Sequence, residues 1–371
     1  MSILRSVLTA TMLLLHFPAL YAREVVAPIA PALQDEIVRR LDTALTRRYP
    51  PDQPGAAIIV VRNGHTIFRK AYGLADVSKQ LPMTPDMSLR LGSVTKQFTA
   101  AAILLLAEQG KLTLSDDIRK FLPEFPVEKG RITVEHLLTH TSGIVSYTAM
   151  RGFRARSAIE MSAADMIAHF KDEPKLFEAG THYAYSNSNY FLLGAIIEQV
   201  SGLAYDDFVA QNIFIPLGMN DTAVEGHERS ARRHVQGYEQ SGQGFVPSRV
   251  ISMSQAYAAG AMVSTVDDLK RWEAVIAGTR LLAEASWEKA FTPFTLSDGR
   301  VTKYGYGWEI GKLSGLKIIS HGGYVDGFNA GVLRIPELKL YVAVLSNTGG
   351  RGDAESVAVQ AASIVMAQTP D

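Results

Sequence analysis

The spacing of the hydrophobic residues changes along the chain, and the changes predict strands near both ends with helices between them. Between residues 32 and 48, apolar side chains recur at helical intervals on one face, which predicts an amphipathic helix. Two strand-like runs follow at 56–62 and 65–71. Asn63 and Gly64, which separate these runs, form the residue pair that most favours a tight hairpin.

The rest of the chain continues this pattern. Residues 98–108 are apolar on nearly every side, which predicts a buried helix too short to span a membrane. From about 112 to 250, helical segments are broken by proline and glycine. Strand-like runs then return before a closing amphipathic helix, at 304–310, 316–320, 330–335 and 340–346, with the helix at 355–367.

This order predicts an α/β (α+β) fold, in which both termini form an antiparallel sheet flanked by helices, with an inserted, mostly helical region. The sheet part is expected at about 23–90 and 255–371, and the helical part at about 91–254. The two parts together are expected to form a single domain over 23–371.

Residues 1–22 are typical of a secretory signal peptide. Arg5 precedes a short apolar run, and Ala22 is a small residue at a plausible cleavage edge. The alternative is a genuine N-terminal helix. Cleavage after Ala22 predicts a periplasmic or secreted protein without a stable membrane anchor.

The composition excludes several classes of protein. Hydrophobic residues make up 47% of the 371 residues, enough for a folded core. The 37 basic and 37 acidic residues balance, so nothing suggests nucleic acid as a partner. The chain has no cysteine, which excludes disulfides, thiol nucleophiles and cysteine-bound metals.

The first candidate for chemistry is Ser93 with Lys96. Two residues three apart on a helix share a face, so the Lys amine can take the Ser proton if burial lowers its pKa. Ser-x-x-Lys also occurs at 286–289 and 314–317, but only the copy at 93–96 opens a buried helix. On this motif alone, an N-cap serine beside a solvated lysine is the favoured alternative.

Two further segments carry candidate groups. Tyr185 becomes a workable base beside a Lys cation, and the Asn187 amide can both donate to and accept from a substrate amide. The alternative is a core tyrosine before a capped helix. A predicted strand is followed by His321, Gly322, Gly323 and Tyr324. The glycines would let a substrate approach the backbone closely, and a backbone N–H there could stabilise an oxyanion. The alternative is a turn between two strands.

Taken together and in this order, the three motifs resemble those of the serine β-lactamase and penicillin-binding-protein-like superfamily, in the branch with class C β-lactamases, D-aminopeptidases and family esterases. Segments 137–143, 216–219 and 259–265 are also similar to family segments, and the resemblance runs from about 30 to 365.

The resemblance implies a role for each motif residue. Ser93 would be the nucleophile, with Lys96 and Tyr185 as catalytic partners. The substrate-binding residues would be Asn187, His321, Gly322, Gly323 and Tyr324, with the N–H groups of Ser93 and Tyr324 forming the oxyanion hole. No metal or organic cofactor is implied.

One position departs from the family pattern. By this resemblance, the position of His321 is a Lys in class C β-lactamases and in most D,D-peptidases. A histidine is mostly neutral at pH 7, whereas that lysine is charged. We therefore expect an exported serine hydrolase of esterase or peptidase type, which cleaves an ester or amide bond of a small-molecule or peptide substrate through an acyl-enzyme on Ser93. The alternatives are a class C-type β-lactamase or D-alanyl-D-alanine carboxypeptidase, and a penicillin-binding sensor that does not turn over.

Overall fold

Helices and strands follow one another in the order that the sequence predicts. The structure is a computed structural model that describes residues 30–226, 235–242, 244–278, 280–350 and 353–368. The signal-peptide prediction at 1–22 lies outside the described residues.

Eleven α-helices lie within the described residues: α1 Pro31–Arg48, α2 Thr95–Glu108, α3 Val134–Leu138, α4 Phe153–Arg156, α5 Ala163–Phe170, α6 Asn187–Ser201, α7 Tyr205–Val209, α8 Tyr257–Gly260, α9 Val266–Ile276, α10 Glu284–Ala290 and α11 Asp353–Met366. The strands are β1 Ala56–Arg62, β2 His65–Tyr72, β3 Leu74–Asp76, β4 Leu81–Pro82, β5 Leu89–Arg90, β6 Ala223–Val224, β7 Tyr238–Ser241, β8 Gly244–Pro247, β9 Met262–Ser264, β10 Glu309–Leu313, β11 Leu316–Val325, β12 Phe328–Ile335 and β13 Leu340–Ser346.

Six of these strands form one antiparallel sheet, in the order β10-β11-β12-β13-β1-β2. The N-terminal hairpin joins the C-terminal strands where β1 pairs with β13, from Ala56 opposite Ser346 to Arg62 opposite Leu340. The prediction of an antiparallel sheet formed by both termini is therefore confirmed. At the hairpin, Asn63 and Gly64 both have positive φ, as the tight turn that matches the strand twist requires.

Both faces of this sheet are buried, which explains why β1 is a continuous apolar run. Successive side chains of a strand point to opposite faces. Ala57, Ile59 and Val61 face the large core beneath the helical region. Residues 56, 58 and 60 face the second core, which α1 and α11 cover. The terminal helices and the helical region thus enclose the sheet from opposite sides.

Two strand predictions near the C-terminus were wrong in their bounds. The segment 304–308 is a loop, because Tyr306 N donates to Ala290 O and Gly305 lies so close to α10 that a Cβ would meet the same oxygen at 2.1 Å. The strand predicted at 316–320 instead continues to Val325. The residues from His321 to Tyr324 are therefore part of the sheet, and the alternative of a turn between two strands is wrong.

The buried helix predicted at 98–108 is α2, which begins earlier, at Thr95. A 3₁₀ turn over Gly92–Val94 precedes it, so Ser93 lies immediately before the helix. No helix in the described part of the chain is long and apolar enough to cross a membrane.

Candidate active site

Ser93 and Lys96 are in direct contact. The Lys96 Nζ atom lies 3.1 Å from Ser93 Oγ, 2.8 Å from Asn187 Oδ1 and 2.8 Å from the Ala259 carbonyl oxygen. The lysine is completely buried, and this burial holds its pKa well below the usual value. The solvated lysine of the alternative interpretation is therefore excluded.

The contacts of Lys96 suit a neutral amine. A neutral amine has two N–H donors and one lone pair. Two of its neighbours, Asn187 Oδ1 and the Ala259 carbonyl, can only accept, so they take the two N–H groups. The lone pair is then left for the Ser93 hydroxyl, which donates along the third contact. This arrangement prepares Lys96 to receive the serine proton.

Tyr185 lies beside this pair. The Lys96 Nζ atom is 4.9 Å from the centre of its ring. Burial raises the pKa of Tyr185 well above its usual value, although an interaction with Ser93 lowers it in part. The hydroxyl is buried without a partner of regular hydrogen-bond geometry among the described residues. Burial disfavours the charged form of both groups, so Tyr185 keeps its proton and Lys96 is the one of the two that can accept a proton at rest.

The Tyr-x-Asn segment is positioned by the loop that follows α3. The Ser186 N–H donates to His140 Nδ1 at 3.2 Å, and the Asn187 N–H donates to Ser146 Oγ at 3.0 Å. The Asn187 Nδ2 group donates to Thr148 Oγ1 at 3.1 Å. These bonds fix Asn187 between Lys96 and the open cleft. Ser186 is the N-cap residue of α6 but makes no side-chain capping bond. The alternative interpretation, in which this serine caps the helix, is therefore not supported.

The backbone at Ser93 also lies against strand β11. A Cβ at Gly323 would lie 1.9 Å from the Leu91 oxygen and 3.2 Å from Ser93 N, and one at Gly92 would lie 2.7 Å from Tyr324 N. Gly92 has a φ of +51°, so both space and backbone conformation require glycine there. This close approach brings the N–H groups of residues 93 and 324 to the same region, as an oxyanion hole requires.

His321 is buried beside the site rather than on its open side. Its Nε2 lies 2.8 Å from the Tyr304 hydroxyl and its Nδ1 lies 2.6 Å from the Gly322 carbonyl oxygen. A carbonyl can only accept, so Nδ1 carries the proton and Nε2 accepts from the tyrosine. Burial lowers the pKa of His321 to about 3. His321 is therefore neutral at physiological pH.

Gly322 faces the other side of the sheet. A Cβ at this position would lie 2.1 Å from the Glu355 side chain, which belongs to α11. Its side-chain position is therefore filled by α11 and is closed to a substrate. The substrate-binding roles that the resemblance implies for His321 and Gly322 stay predictions. These residues could contact a substrate only through their backbone, or affect it indirectly through their neighbours.

A cleft of about 590 Å³ opens beside the serine. Ser93, Asn187 and Tyr324 contribute to its wall, whereas Lys96, Tyr185 and His321 lie behind it. The wall also includes charged residues that sequence reasoning missed: Arg154, Glu239, Arg249 and Asp326. These residues come from α4, from β7, from the loop after β8 and from the turn between β11 and β12, and no motif or spacing marks them.

The sequence comparisons agree with this geometry. The family model described as Beta-lactamase matches residues 40–366, so the chain belongs to the Beta-lactamase family. It is a serine hydrolase of the β-lactamase and penicillin-binding-protein-like superfamily. The chain is 29% identical to penicillin-binding protein 4* of Bacillus subtilis, over 86% of this chain and 73% of that protein.

The other relatives include proteins named as a D-aminopeptidase, a penicillin-binding protein homologue and a D-amino acid amidase. The chain is 28% identical to a D-aminopeptidase of Gluconobacter oxydans, over 91% of this chain but only 64% of that protein. Among solved structures, a penicillin-binding protein homologue from Pyrococcus abyssi has a TM-score of 0.80 at 29% identity, covering 89% of this chain and 77% of that chain. D-amino acid amidase from Ochrobactrum anthropi has a TM-score of 0.76 at 26% identity, covering 91% of this chain and 98% of that chain.

Proposed function

We propose that this protein is an exported amidohydrolase and esterase that cleaves small amides or esters of D-amino acids, or short D-peptides, through an acyl-enzyme on Ser93. The observation that supports it most is the contact between Ser93 Oγ and a buried Lys96 whose pKa is lowered and whose two N–H groups have acceptors.

The reaction follows from these groups. Ser93 Oγ attacks the substrate carbonyl carbon while its proton passes to Lys96 Nζ. The carbonyl oxygen becomes an oxyanion, which the N–H groups of Ser93 and Tyr324 stabilise. As the intermediate collapses, the bond to the leaving amine or alcohol breaks, and that group takes the proton from Lys96, with the Tyr185 hydroxyl as a relay. Water then attacks the acyl-enzyme by the reverse sequence and restores Ser93.

The proposed substrate class rests on His321 and on the relatives. A neutral His321 provides no fixed cation for the carboxylate of a β-lactam or a peptidyl-D-alanine. Among the relatives, one is named a D-aminopeptidase and another a D-amino acid amidase, and the amide of an amino acid carries no carboxylate at the reacting end.

A penicillin-type substrate is the second candidate. Arg154 lines the cleft and is exposed, and it could attract a substrate carboxylate. The similarity to penicillin-binding protein 4* also favours this candidate.

Parallel rates on four substrates test the proposal: the p-nitroanilides of D-alanine and L-alanine, p-nitrophenyl acetate and a chromogenic cephalosporin, each with the wild type and with Ser93→Ala. We expect turnover of the D-anilide and the ester, abolished by the substitution. A cephalosporin hydrolysed faster than both contradicts the proposal in favour of a β-lactamase. A single stoichiometric burst with every substrate contradicts it in favour of a sensor.

A further inference from the structure

Glu239 is an anion in the wall of the catalytic cleft. It lies on β7, is partly exposed, and lines the same cleft as Ser93 and Asn187. Within the described part of the chain, no Lys, Arg or His side chain forms an ion pair with it, whereas Arg249 and Asp326 in the same wall pair with each other. Such an uncompensated charge in a cleft is available to a ligand of opposite charge.

The carboxylate of Glu239 is held in a fixed position. Its Oε1 accepts from the Gly327 N–H at 2.6 Å and from the Tyr324 hydroxyl at 3.3 Å. On the other side, its Oε2 packs so closely against Gly349 that a Cβ there would lie 2.1 Å from that oxygen. The anion is therefore hydrogen-bonded to Tyr324, the β11 residue whose N–H is assigned to the oxyanion hole. A charge fixed in this way favours specific recognition, because little side-chain entropy is lost when a ligand binds.

The other charges of the wall differ from Glu239. Arg249 is neutralised by Asp326, whose Oδ2 lies 2.5 Å from Arg249 Nε. Arg154 is exposed, and we find no hydrogen bond from its guanidinium to another described residue. Arg154 can thus attract an anion from a distance, but Glu239 is the charge that the fold holds in place in the wall of the cleft that contains the serine.

We propose that Glu239 determines specificity by binding the free ammonium group of the substrate's acyl part. This inference rests on the proposed function, because an amino-acid amide carries an ammonium group beside its scissile carbonyl and the inference assigns Glu239 as the residue that binds it. The substrate class is therefore an amide or ester of an amino acid or peptide with an unblocked N-terminus. A purely structural role, in which Glu239 only anchors the β7–β8 hairpin to Gly327, would affect all substrates equally.

The test compares two substrates that differ only in this charge, D-alanine p-nitroanilide and its N-acetyl derivative. We expect the wild type to prefer the free amine, and Glu239→Gln to reduce this preference in kcat/KM by about tenfold or more. Glutamine is isosteric, and its amide oxygen can still accept from the Gly327 N–H, so the fold is expected to persist. Glu239→Asp retains the charge and should retain part of the preference.

Glu160→Gln serves as the matched control. This substitution removes the same charge from an exposed position that is close in sequence to the cleft residue Arg154 but outside the cleft wall. The preference of this variant for the free amine over the N-acetyl derivative should equal that of the wild type. If both substrates are turned over and Glu239→Gln leaves their ratio unchanged, the ammonium site is contradicted while the proposed function stands. If neither substrate shows turnover that depends on Ser93, the proposed function fails and the ammonium site fails with it.

Discussion

The burial of a single lysine distinguishes the catalytic Ser-x-x-Lys from its two other copies. Lys96 is completely buried, whereas Lys289 is exposed and Lys317 is only partly buried, with its ammonium donating to the Phe291 carbonyl. Burial disfavours the charged amine, and the two carbonyl acceptors orient the neutral one towards the serine. The motif gives the spacing, but the surrounding α6 and α8 give the chemistry.

A pH profile tests this assignment of the base. Lys96 must be neutral to accept a proton, and its pKa is lowered by burial. We expect kcat/KM to be full above this pKa and to fall as the pH is lowered through it. Lys96→Ala should reduce kcat/KM by about 10²–10⁴-fold and remove this acidic limb. An unchanged limb in the residual activity of that variant would assign it to another group.

His321 gives a second prediction at the residue scale. Its pKa of about 3 keeps the ring neutral from pH 5 upwards. The ratio of kcat/KM for a cephalosporin to that for a neutral ester should therefore not rise between pH 8 and pH 5. A rise centred near pH 6.5 that His321→Asn removes would show that the ring charges and attracts the carboxylate.

At the scale of elements, the active site depends on the close approach of the Gly92–Val94 turn to β11. The sequence indicated a close approach at the paired glycines, but it left open whether the segment was a strand or a turn. Hydrophobic periodicity cannot decide this point, because two consecutive glycines carry no side chains. Whether this segment is a strand or a turn depends on its contact with the turn that carries Ser93. That contact joins Gly323 to Leu91, more than two hundred positions away in the sequence.

Gly323→Ala tests this contact. The added Cβ would overlap the Leu91 oxygen at 1.9 Å and displace the turn that carries Ser93. We expect a loss of about 10²-fold in kcat/KM, since displacements of about 1 Å at a reacting group have effects of this size. Gly242→Ala, which adds a Cβ in open space, should retain wild-type activity. Equal activity of the two variants would contradict the contact.

At the scale of the whole molecule, the sheet separates a structural core from the catalytic core. The strand-like runs near both termini made an antiparallel sheet formed by both ends of the chain predictable, and the pairing of β1 with β13 confirms it. The cleft wall was less predictable: Arg154, Glu239 and Asp326 come from different parts of the chain and meet only after folding. Their residue types are common on any surface, so the sequence contains no local signal for them.

Leu41→Ala tests this separation. Leu41 lies on α1 and is fully buried on the face of the sheet away from Ser93. Removing its side chain should reduce the free energy of unfolding by about 2–5 kcal/mol. Activity well below the unfolding temperature should stay near the wild-type value. A large loss of kcat/KM in the folded variant would show that the terminal helices act on the site.

The proposed export is tested separately on the native protein. N-terminal sequencing of material from its host should give a start at or near Arg23, as the charged start and short apolar run predict. An intact Met1 would contradict both the signal peptide and the periplasmic or secreted location.

The central claim is that Ser93 is the nucleophile, and covalent labelling with a fluorophosphonate tests it most directly. Peptide mapping of the labelled protein should find the probe on Ser93, and Ser93→Ala should remain folded and unlabelled. Ser286, which is held by Glu108, and the exposed Ser314 provide internal controls because each begins another Ser-x-x-Lys. A label on either of these serines, or one that survives Ser93→Ala, would contradict the account.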